Sequence, residues 1–361
     1  MPSVSEIAKG LGFEAVGDTD LAIARAAHPR IAGPSDLALA LDAKHVRMLG
    51  EGGARAAILS PGVDFAALGL EAAIIAPRAR YAMAGVTQMF QRPLDDLGAP
   101  EAGAHPSAVV DPSAEIDPSA RIGPLVVVGA GARIEARSIV LAQATIGSGA
   151  EIGADCILHP GVRVGARVRI GARCQIHPNA VIGADGFSFV TPERGSVESA
   201  RETGAVPVGT ESTVWARIHS LGAVKIGDDV EIGAGAAIDR GTVADTEVGD
   251  GSKLDNQVQI GHNARVGRNC LLCGQVGVAG SAVIGDRVVI GGQAGVADHT
   301  EIGDDTVIMA SSGVSGQVKP RSVLGGTPAL PREEITQVVM SMRRLPRLLR
   351  DVAALKKRFP E

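Results

Sequence analysis

The sequence is poor in aromatic rings, in cysteine and in uninterrupted apolar stretches, and each shortage excludes something. Phe, Tyr and Trp make up only 2% of the 361 residues, so rings cannot dominate the core. Four cysteines in a chain of this length do not make a disulfide framework; they fit a reducing cytosol. Cys270 and Cys273 form a C-x-x-C pair, but no second pair stands at a zinc-ribbon spacing, which favours packing over a metal. Met1 to Leu11 has no apolar signal core, and the apolar stretch Ala54–Ala76 is broken by Pro61, Asp64 and Glu71. Export and membrane spanning are therefore not expected; a cytoplasmic protein with at most peripheral membrane contact is. The net charge of −5 is too mild to point to nucleic acid.

What the chain has instead is a step of six. From Val110 to Ile182 every sixth residue is aliphatic, thirteen in succession. A second frame opens at Ile226, slips by four residues across Asp239–Val248, resumes at Leu254 and runs to Val314. Neither a helical period of 3.6 nor a strand period of 2 produces this spacing; a short fixed repeat means a solenoid. Three such steps make a coil of eighteen, with one aliphatic per side facing a narrow interior and successive coils stacked about 4.8 Å apart by strand pairing. Cys156 and Cys174 lie eighteen apart, as do the His-Pro pairs at His159 and His177, which suits stacked ladders. The 47 glycines suit corners that need positive φ or close backbone approach.

Three segments interrupt or flank the repeat. Residues 1 to about 91 mix short aliphatic runs, Ala56–Leu59 and Ala72–Ile75, with a helical patch at Tyr81–Gln91, the pattern of a small α/β domain followed by a Pro- and Gly-rich linker, Arg92–Ala104. After Ile182 the period fails at Gly183-Ala184-Asp185-Gly186-Phe187, and a long excursion holds Phe187, Phe189 and Trp215. Such a loop carries a binding function or caps the prism. Beyond Gly325-Gly326-Thr327-Pro328, Ile335, Val338, Met342, Leu345, Leu349 and Val352 alternate three and four apart, a coiled-coil seam with Pro346 expected to kink it. Pro331–Glu361 carries a net +4 on an otherwise acidic chain, which suggests an acidic partner. The expected division is 1–103, 104–322 and 323–361.

Chemistry concentrates at one stretch. Asp255-Asn256-Gln257-Val258-Gln259-Ile260-Gly261-His262-Asn263 gathers polar side chains in a repeat that is bland elsewhere. An imidazole of near-neutral pKa can take a proton from an attacking nucleophile and return it to a leaving group. His299 follows two coils and one residue later, about 10 Å away by strand stacking and too far for direct contact.

The hexad pattern resembles the hexapeptide-repeat acyltransferases. The Gly183–Phe187 loop, Ile238-Asp239-Arg240-Gly241, the Asp255–Asn263 segment, the His299 segment and the helical tail are together similar to the UDP-3-O-(3-hydroxyacyl)glucosamine N-acyltransferases of lipid A biosynthesis. The resemblance implies a mainly β fold, a left-handed parallel β-helix with a small N-terminal α/β domain and a C-terminal helical extension, assembled as a homotrimer. It implies that a 3-hydroxyacyl chain passes from acyl carrier protein to the 2-amino group of UDP-3-O-acylglucosamine. His262 would be the general base, His299 would assist, and the Gly280 N–H would hold the oxyanion. Asp239, Asp255, Asn256, Gln259, Gly186 and Phe187 would bind substrate. No cofactor or metal is implied beyond the carrier's phosphopantetheine arm, and Arg343, Arg344, Arg347 and Arg350 would receive the acidic carrier. The family holds uracil between two rings, where this chain reads Leu39, Asp42, Ala43, Lys44 and His45. His45 can still stack and Asp42 can accept from the base, so weaker uridine binding is expected. A γ-class carbonic anhydrase or the related UDP-sugar O-acyltransferase are the alternatives.

Overall fold

A computed structural model describes residues 1–91, 98, 100–206, 214–326 and 329–358. Part of the expected linker, and Thr327-Pro328 of the solenoid exit, lie outside the described residues. The chain divides into two compact units, Met1–Asp96 and Leu97–Glu361.

The first unit is a five-stranded sheet with helices. Its strands are β1 (Glu14–Gly17), β2 (Arg25–Ala27), β3 (Asp36–Leu39), β4 (Ala56–Leu59) and β5 (Ala72–Ile75), in the order β1-β5-β4-β3-β2. All pairs are parallel except β1 with β5. β4 is buried along its whole length, as a strand covered on both faces must be, which explains why it reads as a continuous apolar run. Helices α1 (Val4–Leu11) and α3 (Ala79–Met89) pack Val4, Ile7, Ala82 and Val86 against Leu37, Ile58 and Ile74. Ser3 and Glu6 form a capping box that starts α1.

The second unit is a parallel β-solenoid with three faces of ten, ten and eleven strands. Most of these strands are two residues long, and the second residue, such as Ile122, Ile146 or Ile260, is typically the aliphatic of the hexad and buried. Val127 pairs with Thr145 and Arg133 with Glu151, the eighteen-residue offset of one coil. The slip of four appears as a longer coil: Ala237 pairs with Gln259 and Val224 with Thr246, twenty-two apart. The excursion leaves after Val181–Ala184, and the chain rejoins one coil on, where Ile170 meets Ile226. Strand pairing begins at Gly103–Ala104 and ends at Val323–Leu324.

The corners use glycine mainly in the second of the two expected ways, for close approach. Among the described residues, nineteen non-glycine residues have positive φ, all in the solenoid, including Arg137 (57°), Asn263 (60°) and His299 (54°). Many of the glycines stand one or two places earlier, where the next coil leaves no space: a Cβ on Gly261 would come 2.8 Å from the Gly280 nitrogen. Close approach, more than backbone freedom, is what these glycines supply. Ladder bonds offset the left-handed strain; the Arg137 N–H donates to Ser119 Oγ, and its guanidinium pairs with Asp155. Inside the prism the Cys174 N–H donates to Cys156 Sγ at 3.4 Å; outside that core His159 stacks on the half-buried His177 with centroids 4.9 Å apart. Helix α4 (Ser196–Thr203) lies within the excursion, and helix α5 (Arg332–Arg358) continues through Pro346 and presents its side chains to solvent, Arg343, Arg344, Arg347 and Arg350 among them.

Candidate functional site

Gln259–Ile260 ends one face, and the corner Gly261-His262-Asn263 turns the chain to the next. The long coil brings the 239–246 segment beside this corner. Asn263 is fixed at its N–H and at both polar side-chain atoms: its N–H donates to Thr246 Oγ1 (2.8 Å), its Oδ1 accepts from the Thr242 N–H (3.0 Å), and its Nδ2 donates to the Ala244 carbonyl (3.0 Å). The same Oδ1 lies 3.1 Å from His262 Nδ1, and Thr242 Oγ1 is 3.4 Å from that nitrogen.

The ring of His262 is held between two glycines. A Cβ on Gly186 would lie 2.7 Å from His262 Cβ, and one on Gly280 would lie 2.8 Å from Cε1 and Nε2. Gly186 is itself tied by its N–H to Ser220 Oγ at 3.0 Å. The two positions are glycine because the imidazole occupies the volume a side chain would take. The half-buried ring opens on a cleft of about 430 Å³ lined by Asp185, Phe187, Asp239, Gln259, Val278 and Gly280. Burial raises the Asp239 carboxyl above its ordinary range, against a hydrogen bond from Gln259 and the nearby His262, which pull it down. Phe187 is 84% exposed and touches Phe189, over which Arg217 sits at 4.7 Å. Trp215 is exposed and is not among the residues lining the cleft.

Of the residues singled out in the sequence, His262, Gly280, Asp239, Gln259, Gly186 and Phe187 come together here. Asp255 and Asn256 do not. They sit at another corner, where Asn256 Oδ1 accepts from the Ala234 N–H (2.7 Å) and Asp255 Oδ1 accepts from the Asn256 N–H (2.7 Å). His299 is exposed two coils on, its N–H donating to the Gly280 carbonyl. Among the described residues no group of three His, Cys, Asp or Glu is placed to hold a metal.

In the N-terminal unit Asp42 caps the short helix α2 (Ala43–Arg47), accepting from the His45 N–H (2.9 Å) and lying 2.8 Å from His45 Nδ1. The bonds from His45 hold its carboxyl below the usual range. The edge of His28 meets the His45 ring at 5.6 Å, a neighbour that sequence reading did not supply.

The hexapeptide repeat model of succinyl-transferases matches residues 223–261 and 281–314, and the C-terminal domain model of GMPPB matches 99–186. A UDP-3-O-acylglucosamine N-acyltransferase of Ruegeria pomeroyi is 53% identical over 98% of this chain and 97% of its own length. The chain belongs to the UDP-3-O-acylglucosamine N-acyltransferase family. A member from Paracoccus denitrificans is 48% identical over 75% of this chain and 73% of its own. Among solved structures, a UDP-N-acetylglucosamine O-acyltransferase of Moraxella catarrhalis aligns over 71% of this chain and 92% of its own at 25% identity, with a TM-score of 0.45. As a member of this family the chain is an acyltransferase.

Proposed function

We propose that the protein transfers a 3-hydroxyacyl chain from acyl carrier protein to the 2-amino group of UDP-3-O-acylglucosamine, a step of lipid A biosynthesis, with His262 as general base. The observation that carries this reading is a ring clamped between Gly186 and Gly280 with one edge facing an open cleft. His262 removes the proton as the amine attacks the thioester carbonyl, and passes it to the departing thiolate of the phosphopantetheine arm. The Gly280 N–H stabilises the tetrahedral oxyanion, worth roughly 3 kcal/mol. Gln259 and Asp239 orient the sugar amine, Phe187 covers the cleft, and His299 assists from farther along the solenoid.

The protein acts in the cytoplasm as a homotrimer in which neighbouring copies complete the clefts, and Asp255 and Asn256, remote from His262 in one chain, contribute at those junctions. The arginines of α5 receive the carrier. No bound cofactor takes part. The test is incubation of purified protein with 3-hydroxyacyl carrier protein and UDP-3-O-acylglucosamine. Retention of the newly transferred chain after mild base, which strips the 3-O-acyl ester but not an amide, supports the reading; release of that chain, or no product, overturns it.

A further inference from the structure

We infer that Asn263 is the positioning residue that selects the reactive tautomer of His262. The inference rests on the general-base reading above and adds a residue to it. A base needs its lone pair on the nitrogen that faces substrate, and a neutral imidazole has one lone pair to place on either of two nitrogens.

The orientation of the Asn263 amide is dictated by its surroundings. Thr242 presents an N–H and Ala244 a carbonyl, so the oxygen must face Thr242 and the NH₂ must face Ala244. The reverse orientation would oppose donor to donor and acceptor to acceptor. The atom 3.1 Å from His262 Nδ1 is therefore an oxygen that can only accept. With the proton on Nδ1, a hydrogen bond forms and the lone pair lies on Nε2, beside Gly280 and the cleft. With the proton on Nε2, two lone pairs would face each other at 3.1 Å.

Thr242 Oγ1 is the competing influence, since a hydroxyl could donate to an unprotonated Nδ1. It stands farther off, at 3.4 Å, and only one of the two groups can define the proton's place. The better distance and the fixed amide favour Asn263. The same Oδ1–Nδ1 bond supports the imidazolium formed during transfer. The titratable groups that share the cleft with the ring are Asp185 of the excursion and Asp239 of the long coil. Arg240 directs its guanidinium to the Ala166 carbonyl.

Four full-length variants test this. Asn263→Leu is expected to lose about 10- to 100-fold in kcat with little change in KM, the usual effect of removing a group that orients a ligating or catalytic histidine. Thr242→Val, which keeps the backbone N–H, is expected to stay within about twofold. Asn263→Asp keeps the acceptor, so it is expected to recover much of the rate while the acid limb of kcat/KM moves to higher pH, because a carboxylate favours the imidazolium. Nitrogen NMR of ¹⁵N-histidine protein is expected to show His262 as the Nδ1–H tautomer in the parent and a mixture in Asn263→Leu. His262→Gln is the control that separates the two readings. Its retention of activity overturns the general base itself. An inactive His262→Gln with an unaffected Asn263→Leu, or a rate loss in Thr242→Val instead, overturns only the role of Asn263. Equal losses in Asn263→Leu and Asn263→Asp with an unmoved acid limb also overturn it, since that is the behaviour of a purely structural residue.

Discussion

At the scale of single residues, the candidate cleft holds a carboxyl that burial disfavours. Asp239 is half-buried, and burial raises its pKa, so the ionised form is disfavoured in the fold relative to the unfolded chain. The sign follows: its contribution is most favourable below the unfolded value of about 3.9 and becomes a cost as pH rises through the folded value. Asp239→Asn is therefore expected to raise the thermal midpoint at pH 7.5 while lowering acyl transfer; a fall in both would show the carboxylate to be structural. His159 supplies the opposite dependence. Burial first, and the stacked His177 second, lower its pKa, so the fold favours the neutral ring. The stability it confers is complete above the unfolded value of about 6.5 and is lost as pH falls toward the folded one. A scan from pH 8 to 5 is expected to show a loss of stability beginning near pH 6.5 that His159→Leu reduces.

Some of the site was legible in the sequence at this scale and some was not. His262 stood out because polar residues crowd a repeat that otherwise alternates aliphatic and small. Asp255 and Asn256 stand in the same cluster, yet a three-sided coil sends residues six or seven apart to different corners, so within one chain they lie apart from His262. Asn263 adjoins His262 and was overlooked as an actor because its role depends on Thr242 and Ala244, which only the long coil brings near.

At the scale of elements, the coil is the unit and its corners set the tolerance to change. The period of six was enough to read most of the buried strand positions, such as Ile122, Ile146 and Ile260, while Val224 and Thr246 fall outside its frame. The slip of four was visible as an irregularity, but its purpose was not. It builds the platform for Asn263. Glycine was expected to serve positive φ or close approach; it serves mainly the second, and Arg, Asn, Gln and Asp hold most of the positive-φ positions, where ladder hydrogen bonds compensate them. Gly261→Ala is accordingly expected to destabilise by roughly 2 kcal/mol or more, since its Cβ would strike backbone. Ser281→Gly, at a corner already at φ 58°, is expected to cost under about 1 kcal/mol. Chemical denaturation of the two variants would compare them directly, and equal costs would refute the close-approach account.

At the scale of the whole molecule, two units and an exposed helix divide the tasks. No described helix is long and apolar enough to cross a membrane. The basic face of α5 is expected to act through long-range attraction, so replacing Arg343, Arg344, Arg347 and Arg350 by Glu should raise the KM for acyl carrier protein about tenfold at low salt and much less at high salt, with kcat retained. An unchanged KM would place carrier recognition elsewhere. In the N-terminal unit His28 and His45 form an edge-to-face pair of imidazoles; if uracil is held there, against smaller rings than the family resemblance implies, UDP affinity is expected to be correspondingly weak.

The central claim is that one imidazole does the proton transfer, and the direct measurement is single-turnover acyl transfer by His262→Gln from pH 6 to 9, with the thermal midpoint recorded alongside. A loss of about 100-fold or more at unchanged midpoint, with the acid limb of the parent profile abolished, is the expected result. A rate within a few-fold of the parent, still rising with pH through the same limb, would contradict it.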